Sequence, residues 1–312
     1  MSSLKEIKTR IGSVKSTLKI TSAMKMVAAA KLHKVQNIIG NKLPYEQQLR
    51  RTLAGMLEDD DLQRAVHDEL GLGDPKENAL IRLQDVHLDE FPSKDNVSRV
   101  ALVLFSSNSS LCGAFNANVI REFNNTISTL RSRGYGADDI DVYAVGRKIA
   151  EAAVKSGLTL TADLSEMADK PLYEDASDLA SVLVDSFAAG EVSQVILIYS
   201  HFATAASQPV VRENYLPLAL HDLDVGPEPV NYILEPDPLA LARELLPMVL
   251  RLKISTVLLD ANAAEHAART IAMQIASDNA RYLISDLTLA YNKGRQQEIT
   301  AEILDLVGGT MV

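Results

Sequence analysis

From Leu252 to Leu306 the chain contains no proline, and its only glycine is Gly294. As one α-helix this run is about 80 Å long at about 1.5 Å per residue. No globular domain of a 312-residue chain buries a helix of that length. Cover must come from a second helix of the same chain, from another subunit, or from both.

The N-terminus supplies a second helix. Leu4, Ile7, Ile11, Val14 and Leu18 alternate steps of three and four, the a/d pattern of a coiled-coil seam. Met24, Val27, Val35 and Ile38 continue an apolar stripe on a drifting face, and no proline occurs before Pro44. In the C-terminal run Ala261, Ala264, Ala268, Ile271 and Ile275 form a matching stripe, and Ile299, Ile303 and Leu306 form another. The small alanines permit close approach. The expected fold is a long antiparallel coiled coil of the two chain ends, with everything else inserted between them.

The insertion changes period. Val100–Phe105, Asp141–Val145 and Val192–Tyr199 are apolar runs of strand length, and Val210–Leu218 is a further strand candidate. Asn116–Arg133, Arg147 to about Ser156 and Tyr173–Ala189 carry helical patterns, with Gly157 as the stop of the second. Strand and helix in alternation predict a mainly parallel, Rossmann-like α/β domain. The expected division is a helix over 1–56, an acidic insertion over 57–97, the α/β domain over 98–220, a proline-marked linker over 221–238, and the second long helix over 239–312. Glu58 to Asp95 holds twelve acidic and four basic residues, with some helix expected around Leu62–Leu70.

Charge is uneven. Residues 1–34 carry eight basic residues (Lys5, Lys8, Arg10, Lys15, Lys19, Lys25, Lys31 and Lys34) and one acid, Glu6, in a chain of net charge −10. A basic helix in an acidic protein is either a solvated face or a contact for an acidic partner. Nucleic acid is disfavoured because the basic segment lacks aromatics. No apolar run is long enough to cross a membrane, and no signal peptide is expected, since Lys5, Glu6, Lys8 and Arg10 break the start. Cys112 is the only cysteine, so an internal disulfide is excluded.

The residues that cofactor chemistry requires are missing. There is no G-x-x-x-x-G-K-[ST] loop and no G-x-G-x-x-G after a strand. The nearest glycine turns, Cys112-Gly113 and Gly146-Arg147-Lys148, hold one glycine each, where a phosphate cradle needs several converging N–H groups. None of His33, His67, His87, His201, His221 and His266 has a second ligand at metal-binding spacing. Asp59–Asp61 lacks the spacing of a calcium loop. Cys112 is expected to be buried and inert. No cofactor, no metal and no catalytic role is expected.

Several blocks resemble one family. Lys19-Ile-Thr-Ser-Ala-Met-Lys-Met-Val-Ala-Ala-Ala-Lys31, Leu111-Cys-Gly-Ala-Phe-Asn116, Val145-Gly-Arg-Lys148 and Tyr232-Ile-Leu-Glu-Pro236 are similar to segments of the gamma subunits of F-type ATP synthases. So are Glu265-His-Ala-Ala-Arg-Thr-Ile-Ala-Met273, Tyr291-Asn-Lys-Gly-Arg-Gln296 and Ile299 to Gly309. Three positions depart from the pattern. Ser107-Asn-Ser-Ser110 replaces the usual Asp-Arg-Gly, leaving that loop's bonding open, and Gly294 and Thr310 stand where alanine is usual. The region Glu58–Asp95 is longer than usual, and the chloroplast cysteine insert is absent.

The resemblance implies a bacterial-type central-stalk rotor that couples proton flow to ATP synthesis without being a catalytic subunit. Its implied partners are the alpha and beta subunits of the ring, the epsilon subunit and the c-ring. Its implied place is the cytoplasmic face of the inner membrane, peripheral and without insertion. Carried over by motif, Met24, Lys25, Arg269, Gln296, Thr300 and Glu302 are the expected contacts with the catch loops of beta. Bare spacing alone makes Met24 a core filler and Arg269 and Glu302 a solvated helix face. The uncharged tip Val307, Gly308, Gly309, Thr310, Met311 and Val312 is the expected bearing. Two rivals belong to other classes: an α/β enzyme with a helical dimerisation hairpin, which lacks its cofactor loop, and a homodimeric coiled-coil tether.

Overall fold

The computed structural model describes residues 4–56, 81–82, 99–219 and 238–309. In chain order these form α1 (Leu4–Met56), β1 (Ile81–Arg82), β2 (Arg99–Phe105), α2 (Phe115–Ser132), a 3-10 turn (Ala137–Asp139) and β3 (Ile140–Val145). There follow α3 (Arg147–Lys155), β4 (Leu160–Asp163), α4 (Ser165–Asp169), α5 (Tyr173–Ala188), β5 (Val192–Ser200), β6 (Val210–Leu216), β7 (Leu218–Ala219) and α6 (Pro238–Gly309). The chain groups into two compact units: Lys31–Ala268, and Met1–Ala30 together with Arg269–Val312. The helix expected at Leu62–Leu70 and the motif Tyr232–Pro236 lie outside the described residues.

Within Lys31–Ala268 a five-stranded sheet runs in the order β4-β3-β2-β5-β6. β2 to β5 are mutually parallel, and β6 runs antiparallel to β5 as an edge. The central strands are apolar almost without interruption because both faces are covered. On one face Val100, Leu102, Leu104, Val142, Ile196 and Ile198 pack under Val119, Phe123, Ile127 and Leu130 of α2 and Ile149 and Ala153 of α3. On the other face Val103, Phe105, Val195 and Leu197 meet Leu179, Leu183 and Phe187 of α5 and Leu246, Val249, Leu250, Val257 and Leu258 of α6. The first part of the long C-terminal helix is therefore also the lid of the sheet. Periodicity misses the short helix α4 and strand β4. The strand is a short edge of alternating half-exposed residues with no apolar run to mark it.

Local signals explain the helix ends. The N–H of Gly157 bonds to the carbonyl of Val154, and that of Leu158 to Ala153, with Gly157 at φ +79°. This is a Schellman stop, and only glycine takes that backbone without strain. Pro238 opens α6, where its missing N–H costs nothing. Pro44 and Pro247, by contrast, lie inside α1 and α6. Interior proline costs a helix on the order of 3 kcal/mol. Tertiary burial of flanking residues such as Leu53, Leu246 and Val249 outweighs it.

Within Met1–Ala30 and Arg269–Val312 the structure is two helical segments side by side. Leu4 lies against Gly294, and Thr21 Oγ1 shares a 2.8 Å hydrogen bond with Ser277 Oγ. Seventeen residues separate these contacts on each helix, in opposite directions, so the pair is antiparallel and in register. A Cβ on Gly294 would stand 2.9 Å from Leu4 Cδ2. The glycine that weakens the helix thus makes room for the first leucine of the seam.

Candidate functional site

In open α/β sheets ligands bind where strand order reverses, at the carboxyl ends of the strands. Here that point lies between β2 and β5, since the chain moves out through β3 and β4 and then returns to the other side of β2. The chain fills the crevice itself. Leu258, Ala261, Asn262 and Glu265 of α6 close over Phe105, Ser106, Val145 and Ala168, leaving room for about one water. Asp260 Oδ1 accepts from the backbone N–H of Phe202 at 3.0 Å, and Oδ2 lies 2.6 Å from His201 Nδ1. Asn262 Nδ2 donates to the carbonyl of Ala168 at 2.7 Å. A phosphate would meet the carboxylate of Glu265 in this crevice.

The neighbouring helix N-terminus is also occupied. Three N–H groups at the start of α3 are taken by the loop after β2. Arg147 donates to Asn108 Oδ1 at 2.9 Å, Lys148 to the carbonyl of Ser107 at 3.2 Å, and Ile149 to Ser106 Oγ at 3.0 Å. Those donors would otherwise form an anion site. Gly146 makes the approach possible, because at φ +115° a Cβ there would collide with the Ser106 carbonyl oxygen. The sequence Ser107-Asn-Ser-Ser110 therefore has bonding of its own. Asn108 also holds Ser165 and Asp169 at 2.8 and 2.7 Å, and Ser107 is held by Asn116. Cys112 is buried beside Asn116 Nδ2 at 3.2 Å. Cys112 and Asn116 fall in the block Leu111–Asn116, whereas Ser106, Asn108, Asp260 and Asn262 carry no motif. Their signal is polarity where an apolar run should continue, as at Asp260, Asn262 and Glu265, which interrupt Val257, Leu258, Leu259 and the alanines that follow.

The expected shaft residues fall at two levels of the helical pair. By the register above, Met24 and Lys25 stand level with about residue 274, a turn or so from Arg269. Gln296 is about 33 Å further along α6 at about 1.5 Å per residue. Met24 and Lys25 are half-buried, whereas Gln296, Thr300 and Glu302 are exposed, with Thr300 Oγ1 bonded to the Gln296 carbonyl at 2.8 Å. Arg269 is only 8% exposed, so it does not lie on the solvated face that spacing alone suggests. Beyond Gly294, α6 has passed the level of Leu4, the first described residue of α1. The helix continues to Gly309, and Thr310, Met311 and Val312 lie outside the described residues.

The seam itself corrects the expected stripes. The inward positions of α6 are Arg269, Met273, Ser277, Ala280, Ile284, Leu287, Tyr291 and Gly294, in steps of three and four. Ile271 and Ile275, expected on the seam, face outward, and Ile299, Ile303 and Leu306 are exposed beyond the level of Leu4, where no described residue of α1 runs beside them. On α1 Val27 is exposed and Ala28 takes the inward place. Outward-facing Ile275, Tyr282, Leu289 and Ile303 share one heptad row with Gln296, and Tyr282 and Leu289 are each 72% exposed. Large apolar residues thus stand on both sides: Leu4, Ile7, Ile11, Val14 and Leu18 of α1 and Met273, Ile284, Leu287 and Tyr291 of α6 are turned inward, with Ser277, Ala280 and Gly294 between them, while Ile275, Tyr282 and Leu289 stand outside. Exposed apolar residues gathered in one row are the kind of surface that a partner protein covers.

A family model described as ATP synthase matches residues 3–311. The ATP synthase gamma chain of Bacteroides fragilis is 48% identical over the whole of both chains, and that of Phocaeicola vulgatus 47%. The gamma chain of Flavobacterium psychrophilum is 37% identical, covering 99% of this chain and 98% of its own. Among solved structures, a chain of the Euglena gracilis mitochondrial ATP synthase (OSCP/F1/c-ring) covers 99% of this chain and 93% of that one, with TM-score 0.59 and 18% identity. A chain of the Tetrahymena thermophila mitochondrial ATP synthase central stalk and c-ring gives TM-score 0.55 at 21% identity, covering 83% and 99%. The structures support the fold and the sequence relatives the kinship: the chain belongs to the ATP synthase gamma chains, the non-catalytic rotor subunits of the central stalk.

Proposed function

We propose that this chain turns inside a ring of alpha and beta subunits and couples proton flow through a c-ring to ATP synthesis, with the epsilon subunit beside its α/β domain. The observation that carries this reading is the antiparallel helical pair, which turns Leu4, Ile7, Ile11, Val14 and Leu18 toward Ile284, Leu287 and Tyr291 and still leaves a heptad row of apolar residues outside. A homodimeric tether would bury that row symmetrically. A rotor must instead meet changing partners through contacts that are apolar and undirected, because a ligand biases a conformational equilibrium only through differential affinity.

In this reading Met24, Lys25, Arg269, Gln296, Thr300 and Glu302 meet the beta subunits, at two levels of the shaft. Arg269 offers them the least surface, so its substitution acts on the pair as much as on the partner. The tip from Val307 to Val312 serves as the bearing. The helical arms 1–56 and 239–312 form the shaft, the domain 98–220 forms the foot, and 57–97 and 221–238 connect them. No described helix is long and apolar enough to cross a membrane. We assign the chain to the cytoplasmic face of the bacterial inner membrane, as a peripheral subunit.

Co-purification with alpha and beta subunits, followed by ATP-driven rotation of a probe fixed to this chain, tests the assignment. Rotation is expected. A stable assembly in which the probe stays still, or saturable nucleotide binding by the isolated chain, would overturn it.

A further inference from the structure

We propose that Asp260 and Asn262 anchor their own long helix α6 to the α/β domain on two sides and fix its rotational setting there, so that torque passes between domain and helix at this turn. The inference rests on the rotor reading and names the residues that couple foot to shaft.

Most of the contact between α6 and the sheet is apolar, through Leu246, Val249, Leu250, Val257, Leu258 and Ala261. Apolar burial is strong but non-directional. It opposes lifting the helix off the sheet far more than rolling it about its axis. Resistance to rolling requires directed bonds at different azimuths. Residues 260 and 262 are about 200° apart around a helix of about 3.6 residues per turn, so their side chains leave on opposite sides. Asp260 is held by the loop that follows β5, through the Phe202 N–H and His201. Asn262 is held by the carbonyl of Ala168 in α4. Two of the three partners are backbone groups, which cannot swing aside as a long side chain does.

Polar contacts nearer the start of α6 each point one way. Tyr215 Oη donates to the Leu250 carbonyl at 3.0 Å, and Lys253 pairs with Glu213 at 2.9 Å, both toward β6. Ser255 receives Lys42 Nζ at 3.0 Å, and Thr256 donates to Glu46, both toward α1. The turn at 260–262 ties the helix to the domain on two sides within three residues. From it α6 runs unbroken to Gly309.

The test uses the assembled complex carrying Asp260→Ala with Asn262→Ala. ATP hydrolysis is expected to stay near the parent rate, while protons pumped per ATP and the torsional stiffness read from a probe on the α/β domain fall severalfold. Asp260→Asn, which keeps an acceptor for the Phe202 N–H, should restore most of the stiffness. If the double variant does not assemble, His201→Ala decides, since it removes one bond at a half-exposed ring: reduced stiffness supports the anchor and unchanged stiffness overturns it. Unchanged pumping ratio and stiffness in an assembled double variant also overturn it. A parent complex that fails to rotate would instead defeat the rotor reading, which separates the two failures.

Discussion

The α/β unit and the helical pair differ in how much of their large apolar surface they bury. In the unit Lys31–Ala268, leucine, valine and isoleucine are inside, and polar side chains such as Asp260, Asn262 and Ser106 satisfy named backbone groups. In the pair, Leu4, Ile7, Ile11, Ile284 and Leu287 are turned inward together with Thr21 and Ser277, yet Tyr282 and Leu289 are outside. The first arrangement is complete by itself. The second exposes what a lone chain would normally hide, and it makes physical sense when other subunits supply the cover.

The contrast is tested hardest at a glycine. Gly146→Val places a branched side chain at φ +115° and against Ser106, and should destabilise the α/β unit by about 4 kcal/mol or more. Urea unfolding of the purified chain reads it. A loss below about 1 kcal/mol would mean that the loop yields freely.

Leu104→Ala comes next, removing a fully buried side chain from the central strand, with an expected cost of about 3 kcal/mol in the same titration. Leu289→Ala, the same chemical change on the outside of the pair, should leave stability within about 0.5 kcal/mol. Equal costs would mean that the outer row is covered within the chain.

Alkaline pH probes the α/β unit through its buried tyrosines. Burial raises the pKa of Tyr199, helped by the negative charges of Glu213 and Asp260, and burial likewise raises that of Tyr215. Both phenols stay neutral in the folded chain at pH values where they ionise once unfolded, near pH ~10. Their contribution is therefore full below about pH 10 and lost as pH rises toward the folded values, by up to about 1.4 kcal/mol per pH unit for each group. Tyr199→Phe should flatten that slope above pH ~10 and leave it unaltered at pH ~8. A slope that persists in full assigns the effect to other groups.

Inside the pair, Ser277→Ala leaves the buried Thr21 hydroxyl with only the Leu18 carbonyl of its own helix to bond. The expected cost is about 1 kcal/mol, and adding Thr21→Val should recover most of it. A double-mutant cycle of thermal unfolding measures the coupling. The smallest effect on the chain itself belongs to Tyr282→Ser, within about 0.5 kcal/mol of the parent. Its consequence should instead be weaker assembly with alpha and beta subunits, read by co-purification. Normal assembly would remove Tyr282 from the interaction face.

Much of this was legible in advance, for reasons that differ by region. The strands Arg99–Phe105 and Val192–Ser200 announce themselves because strands covered on both faces need continuous apolar residues. The stop at Gly157 was legible because a left-handed backbone calls for glycine. Strand β4 was not, since an edge needs no such run. The α6 seam was misread because apolarity marks burial only when a chain folds alone. Ile271 and Ile275 are apolar toward the outside, so a search for apolar stripes selects the wrong face. The crevice residue Glu265 opens a family-like block, but its neighbours Asp260 and Asn262 had no motif to find, because their partners lie far away in sequence.

The long helices, the inserted parallel sheet and the family were all specified along the chain, since each rests on local periodicity or on blocks of neighbouring residues. Three things had to await the packed molecule: which helix faces meet, which polar residues fill the crevice beside β2, and where the long helix is held. Those outcomes depend on distant groups brought within hydrogen-bonding or van der Waals reach, and such pairings leave no periodic trace along a single chain.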